Sequence, residues 1–349
     1  MKQGEIMQSR KSKLFNLLFL LLVFALTIYY VLRGEDIGLI LDTMSSAGSL
    51  WLACGAGCVL LFVYGESAIL HYLFKTLQIR TGRLTCFLYS GVGFFFSCIT
   101  PSASGGQPAQ VYYMHKDKIP VPVATVVLMV VTIAYKLVLV LIGIYLLLFQ
   151  QIYLRHYLAE VMPVFYLGLA LNIVCCAVML VLVFHTTLAD RIVNKCLDIA
   201  DQVTRKKYAA RIGRLRYRLS FSMGHYADAA AYLRQHGSVL VRVMLVTFLQ
   251  RIALFMTTYF VYRSLGLSEK TWFEVVILQA SISIAVDMLP LPGGMGISEH
   301  LFLCIFGAIF YGDYLIPGMI LSRGLAYYVQ MLLGGCMTMA AQIRNGRHD

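Results

Sequence analysis

The sequence predicts an all-α, polytopic membrane protein, and three observations carry that reading. Apolar residues fill 59% of the 349 positions and charged residues only 13%, for a mean hydropathy of +0.75. A soluble domain of this length needs more polar cover than that composition supplies. Several segments exceed the roughly 18 consecutive apolar residues that mark a membrane span. Finally, Lys and Arg are concentrated in alternate connections between those segments, as the positive-inside rule requires.

Taken in order, the chain opens with "MKQGEIMQSRKSK" and an apolar run from Leu14 to Leu32. That run is too long for a signal peptide and lacks a small-residue cleavage site after it, so it reads as an uncleaved first span. Full spans are expected near 14–33, 50–74, 121–149, 162–185, 238–262 and 316–340, about six in all. Two further apolar pieces, 84–117 and 272–311, are each cut by a Gly/Pro break. A half-length helix on each side of a break predicts a re-entrant hairpin, because non-helical backbone survives at membrane depth only inside protein or along a wet cavity.

The charges set the orientation. With the N-terminus inside, the segments 1–13, 75–83, 116–118, 186–237 and 341–349 face the cytoplasm and hold 21 of the 29 basic residues. Outside lie Arg33, Arg155, Arg263 and Lys270 against seven acids. Both termini are therefore expected in the cytoplasm. The division follows as an N-terminus at 1–13, a first membrane half at 14–185, a basic loop at 186–237, a second half at 238–340 and a tail at 341–349. In this topology the first hairpin enters from the cytoplasm and the second from outside, the signature of an inverted-repeat transporter with its site between them.

The two breaks read "TPSASGGQPAQ" (100–110) and "PLPGGMGISEH" (290–300). Each carries a Pro and then a Gly-Gly pair: Pro101 with Gly105-Gly106, and Pro290 with Gly293-Gly294, Pro292 lying between. Helices are expected to restart near Pro108 and, past Gly296, with Ser298 as N-cap. Such N-termini present free N–H groups to a phosphate or carboxylate. Seven ionisable residues fall inside the predicted membrane segments: Glu66, Lys136, Arg242, Arg251, Asp287, Glu299 and Arg323. Each costs a few kcal/mol there and needs a partner, water or a role. Arg242 is close enough to the cytoplasmic end to snorkel. The others read either as buried ion pairs that fix helices or as the lining of a polar path.

The loop 186–237 places apolar residues such as Ile199, Val203, Ile212 and Leu215 at mostly helical spacing among Arg205, Lys206, Lys207, Arg211 and Arg214. It predicts helices lying on anionic lipid of the inner leaflet; no nucleic-acid-binding module is recognisable. No Walker, Rossmann or H-E-x-x-H motif occurs, and Cys54 with Cys58 lacks the further ligands of a metal set. No cofactor is expected. Transport by such a chain would run on an ion gradient, downhill, or with a partner's energy.

The motifs "TPSASGGQPAQ" and "LPLPGGMGISEHLF", with the Arg of "LSRGLAYYVQ", resemble the transmembrane domain of the lysylphosphatidylglycerol synthase/flippase family, also called the multiple peptide resistance factor family. The likeness spans roughly residues 14 to 341. It implies a flippase of the bacterial cytoplasmic membrane that moves phosphatidylglycerol-type or aminoacylated phospholipid outward and weakens cationic antimicrobial peptides. By motif match, Glu299 and Arg323 correspond to positions linked to the lipid path. Many members have Gly-Glu and a later Arg in the first break, where this chain has Gly106-Gln107 and Gln110. Full-length members also continue into a soluble domain that transfers lysine from charged tRNA to lipid. This chain ends at "QIRNGRHD", so lysyltransferase activity is not expected of it alone.

The expected path comprises Pro101, Ser104, Gly105, Gly106, Gln107, Gln110, Lys136, Arg251, Asp287, Pro290, Pro292, Gly293, Gly294, Glu299 and Arg323. Arg251, Arg323 and Lys136 suit a phosphate, and Glu299 or Asp287 an ammonium group. A membrane-embedded transferase using Glu299 or Asp287, and a scaffold acting through the basic loop, are the rival readings. A separate lipid synthase and a second copy of the chain are open as partners.

Overall fold

The computed structural model describes residues 37–346 apart from 102, 186–190, 192–194, 196–223, 225, 233 and 292–293. The predicted first span and most of the basic loop thus lie outside the described residues. The described elements are helices: α1 (Ile37–Ser45), α2 (Ser49–Thr76), α3 (Arg83–Ile99), α4 (Gly106–Lys116), α5 (Val121–Phe149), α6 (Gln151–Tyr157), α7 (Met162–Phe184), α8 (Gly237–Ser264), α9 (Trp272–Val286), α10 (Ile297–Phe306), α11 (Leu315–Arg323) and α12 (Gln330–Gly346). A 3-10 turn at Gly312–Tyr314 precedes α11, and a π-helical stretch, Gly324–Val329, joins α11 to α12.

Helices α2, α5, α7 and α8 are long and apolar enough to cross a membrane. At about 1.5 Å per residue, each exceeds the ~30 Å hydrocarbon core. Their starts follow local chemistry: Pro lies in the first turn of α5 and α7, where its missing N–H costs nothing. Helix α9 begins with a capping box, Thr271 and Glu274 bonding each other's backbone N–H. The predicted last span is helical throughout but not uniform. It widens at the π stretch between α11 and α12, and continues past 340 to Gly346. Wide turns of this kind recur at functional sites. Residues 226–232 are also largely helical, and Tyr226, Ala229 and Ala230 are buried. The end of the predicted surface loop therefore packs into the bundle, with the Tyr226 hydroxyl donating to the Leu182 carbonyl at 3.1 Å.

Two short-helix units, α3 with α4 and α9 with α10, pack across the expected breaks. Helix α9 docks on α7 at Gly168, where an added Cβ would lie 2.6 Å from the Ala285 Cα. Only a residue without a side chain admits that approach. One turn on, the buried Asn172 donates to the carbonyls of Gly168 (2.9 Å) and Ile284 (3.3 Å). The last turn of α9 is thereby fixed just before its break.

The apolar core falls into two large groups. One gathers Leu139, Phe165, Phe255, Tyr262, Phe302 and Phe306; the other gathers Leu70, Tyr89, Val127, Ile133, Cys176 and Val243. Among the described residues, every long helix passes from one apolar region to another through polar residues near its middle: Glu66 on α2, Lys136 on α5, Asn172 on α7, and Gln250 with Arg251 on α8. The fold thus holds a polar layer between apolar layers.

Candidate functional site

The layer is built from paired charges. Lys136 forms an ion pair with Asp287, the residue that ends α9, and both side chains are close to fully buried. The Tyr135 hydroxyl donates to the other Asp287 oxygen, and the Met288 sulfur lies 2.9 Å from the Lys136 Nζ. Adjacent residues of α5 therefore grip the C-cap of α9, just before the second break.

Arg251 lies beside this pair. Its guanidinium sits 3.5 Å from the centre of the Tyr135 ring and 4.9 Å from that of Phe62, a cation–π sandwich. Its Nε is buried and has no hydrogen-bond partner among the described residues. Asp287 and Glu66 are both within electrostatic reach. Glu66 accepts a hydrogen bond from Gln110 Nε2 at 2.8 Å, and Gln110 also reaches the Tyr89 carbonyl at 3.2 Å. Gln107, one turn earlier on α4, donates to Thr132 of α5. A polar chain thus runs from α4, past the first break, through Glu66, Arg251 and Tyr135 to Asp287 at the second.

A second pair lies past the second break, at the start of α10. Arg323 Nε donates to Glu299 Oε1 at 2.8 Å, and its guanidinium lies over the Tyr327 ring. Tyr327 in turn donates to the Cys98 carbonyl, 2.8 Å away in the last turn of α3. Arg323 is the last residue before the π stretch, and Tyr327 lies within it.

The start of α10 differs from expectation. Its N-cap is Gly296, with φ of 84°, and not Ser298; positive φ is the reason glycine stands there. Glu299 Oε2 accepts from the Gly296 N–H at 2.7 Å and from Ser298 Oγ at 3.2 Å. The chain's own carboxylate therefore occupies the helix N-terminus that the sequence reading offered to a ligand. The charge there is already matched, since an acid in the first turn complements the helix dipole.

The first break is a tight turn at its tip. Pro101 and Ser104 are exposed, and Thr100 Oγ1 accepts from the Gly105 N–H at 2.9 Å. Gly105 is the N-cap of α4, Pro108 lies in its first turn, and Gly106 is buried against Ser97. Of the expected path residues, Lys136 joins Asp287, Glu299 joins Arg323, and Gln110 joins Glu66. Pro101, Ser104 and the exposed Pro290 stand apart from these contacts. Gly294 is buried with φ of 68°, and Pro292 and Gly293 lie outside the described residues. A search for ionisable residues passes over Tyr135, Asn172, Gln250 and Tyr327. Their signal is a polar atom in the middle of an apolar run. Among the described residues no cluster of three or more metal-binding side chains occurs.

These features define a polytopic, α-helical membrane protein with a buried, charge-paired polar layer. Residues 16–334 match the family described as the lysylphosphatidylglycerol synthase TM region, and the chain belongs to that family. The match is to the membrane region of the family and covers most of the chain, consistent with a lipid-handling membrane protein. No curated protein matches the sequence.

Proposed function

We propose that this chain is a flippase that moves phosphatidylglycerol-type or aminoacylated phospholipid between membrane leaflets, through the polar layer between its two broken units. On this reading both units are re-entrant, in opposite orientation, and both termini face the cytoplasm. Outward movement of aminoacylated lipid would lower negative surface charge and weaken cationic antimicrobial peptides.

The observation that carries the reading is the pairing of opposite charges at the second break, Lys136 with Asp287 and Arg323 with Glu299. Removing one partner from such a pair leaves a buried charge exposed to a low dielectric, which is costly. An aminoacylated phospholipid headgroup brings a phosphate and an ammonium together. It replaces both partners of a pair at once: phosphate takes the cation, and the freed carboxylate takes the ammonium. No charge is stranded at any stage. Arg251, whose Nε has no partner among the described residues, is placed to meet the phosphate first.

Leaflet exchange of labelled lipid in liposomes tests the proposal through Glu299→Gln and Arg323→Ala. Both variants are expected to lose accelerated exchange while their purified forms stay monodisperse. Wild-type rates in both folded variants would remove this pair from the mechanism.

A further inference from the structure

We infer that the connection between α2 and α3 is a binding site for the phosphate group of an anionic phospholipid, separate from the polar layer. A cavity of about 620 Å³ lies there, lined by His71, Lys75, Gln78, Arg80, Thr81 and Gly82. The positive-inside distribution assigns this end of the bundle to the cytoplasmic surface.

The local backbone builds the concavity. Helix α2 ends in a Schellman motif, with Ile79 N–H bonding the Phe74 carbonyl at 2.8 Å and Gln78 N–H the Lys75 carbonyl at 3.1 Å. Gln78 takes φ of 60° to make the turn. Four residues later Gly82 caps α3 without any side-chain hydrogen bond to the helix end. The cavity therefore lies between the C-terminus of one helix and the uncapped N-terminus of the next.

Charge in this connection is unbalanced. The stretch "KTLQIRTGR" (75–83) holds Lys75, Arg80 and Arg83 and no acid. Lys75 is explained without a ligand, because a cation is favourable at a helix C-terminus. Arg80 and Arg83 are not, since they crowd the positive end of the α3 dipole. Among the described residues neither Lys75 nor Arg80 is paired with a carboxylate. His71 adds an independent sign: its Nδ1 is buried and has no hydrogen-bond partner among the described residues. A phosphate in the cavity would meet the Lys75 ammonium, the Arg80 guanidinium and the free N–H groups at the start of α3. An exposed guanidinium and a helix N-terminus are both suited to phosphate oxygens.

The site does not depend on the transport proposal, and its test is a binding measurement. The full chain in phosphatidylcholine nanodiscs is titrated with phosphatidylglycerol, and retained lipid is counted by native mass spectrometry. We expect one tightly held phosphatidylglycerol, weakened about thirtyfold in the Lys75→Gln/Arg80→Gln double variant, two cations' worth of surface attraction. An Arg205→Gln/Lys206→Gln variant, which removes equal charge from the basic loop, should lose only weakly held lipid. Inorganic phosphate is the second probe. Displacement of the tight lipid by millimolar phosphate assigns the site to phosphate esters in general, and no displacement assigns it to a lipid headgroup. Equal retention by wild type and the Lys75/Arg80 variant, or phosphatidylcholine held as tightly, would overturn the inference. His71→Ala supplies a further variant whose loss of binding is expected.

Discussion

Replacing Asp287 by Asn isolates the energetics of the polar layer. The substitution keeps the size of the side chain and an oxygen for the Tyr135 hydroxyl, but it removes the charge facing Lys136. The side chains of that pair are only 8% and 12% exposed, so water cannot replace the lost carboxylate. What is left near the ammonium is the Met288 sulfur and, at 5.2 Å, the Tyr135 ring. Breaking a buried pair in this way costs about 3–5 kcal/mol, whereas replacing both partners with apolar groups is close to neutral. Asp287→Asn and Lys136→Met should therefore each lower stability by about that amount. The Lys136→Met/Asp287→Leu double variant should be more stable than either single one. Unfolding by SDS titration in mixed micelles measures all four forms. Single variants within about 0.5 kcal/mol of wild type, the range of ordinary surface substitutions, would refute the claim that this pair is buried and mutually dependent.

Other outcomes follow from the same contacts. Arg344 pairs with Asp117 where the two side chains are 29% and 25% exposed, so Arg344→Ala should cost only about 0.2–1 kcal/mol, diminished by salt. Arg323→Lys should fail to restore the stability lost in Arg323→Ala, as measured by the same titration, because the Nε contact and stacking on Tyr327 need a planar guanidinium. Gly168→Val should destabilise by about 1–3 kcal/mol through overpacking, since its Cβ meets the α9 backbone; a thermal scan in detergent reports it.

The long helices were readable because membrane thickness imposes their length and composition. The expected 121–149 span coincides with α5, and α2 and α8 extend only slightly past their expected ends. The charged residues were readable individually, since a Lys in "IAYKLVL" has no inexpensive place in lipid. Their pairing was not. Lys136 and Asp287 are 151 positions apart, and the packing of α9 on α7 through Gly168 and Asn172, with its contacts to α8 and α5, brings the second break to α5. Asn172 escaped notice because it carries no charge. The true start of α10 was missed because Ser298 is a common N-cap, whereas here a glycine at positive φ starts the helix and Glu299, at the third helical position, accepts from the N–H of that glycine. The π stretch after Arg323 leaves no local signal in an apolar run.

On the proposed function, a lipid crosses through the layer containing Arg251, Lys136 and Asp287. The most direct test is leaflet exchange of labelled phosphatidylglycerol and its lysyl ester in liposomes holding wild type or Arg251→Met, each verified as folded. Wild type should accelerate exchange of at least one lipid, and the variant should not. No acceleration of either lipid, or equal acceleration by Arg251→Met, would contradict it.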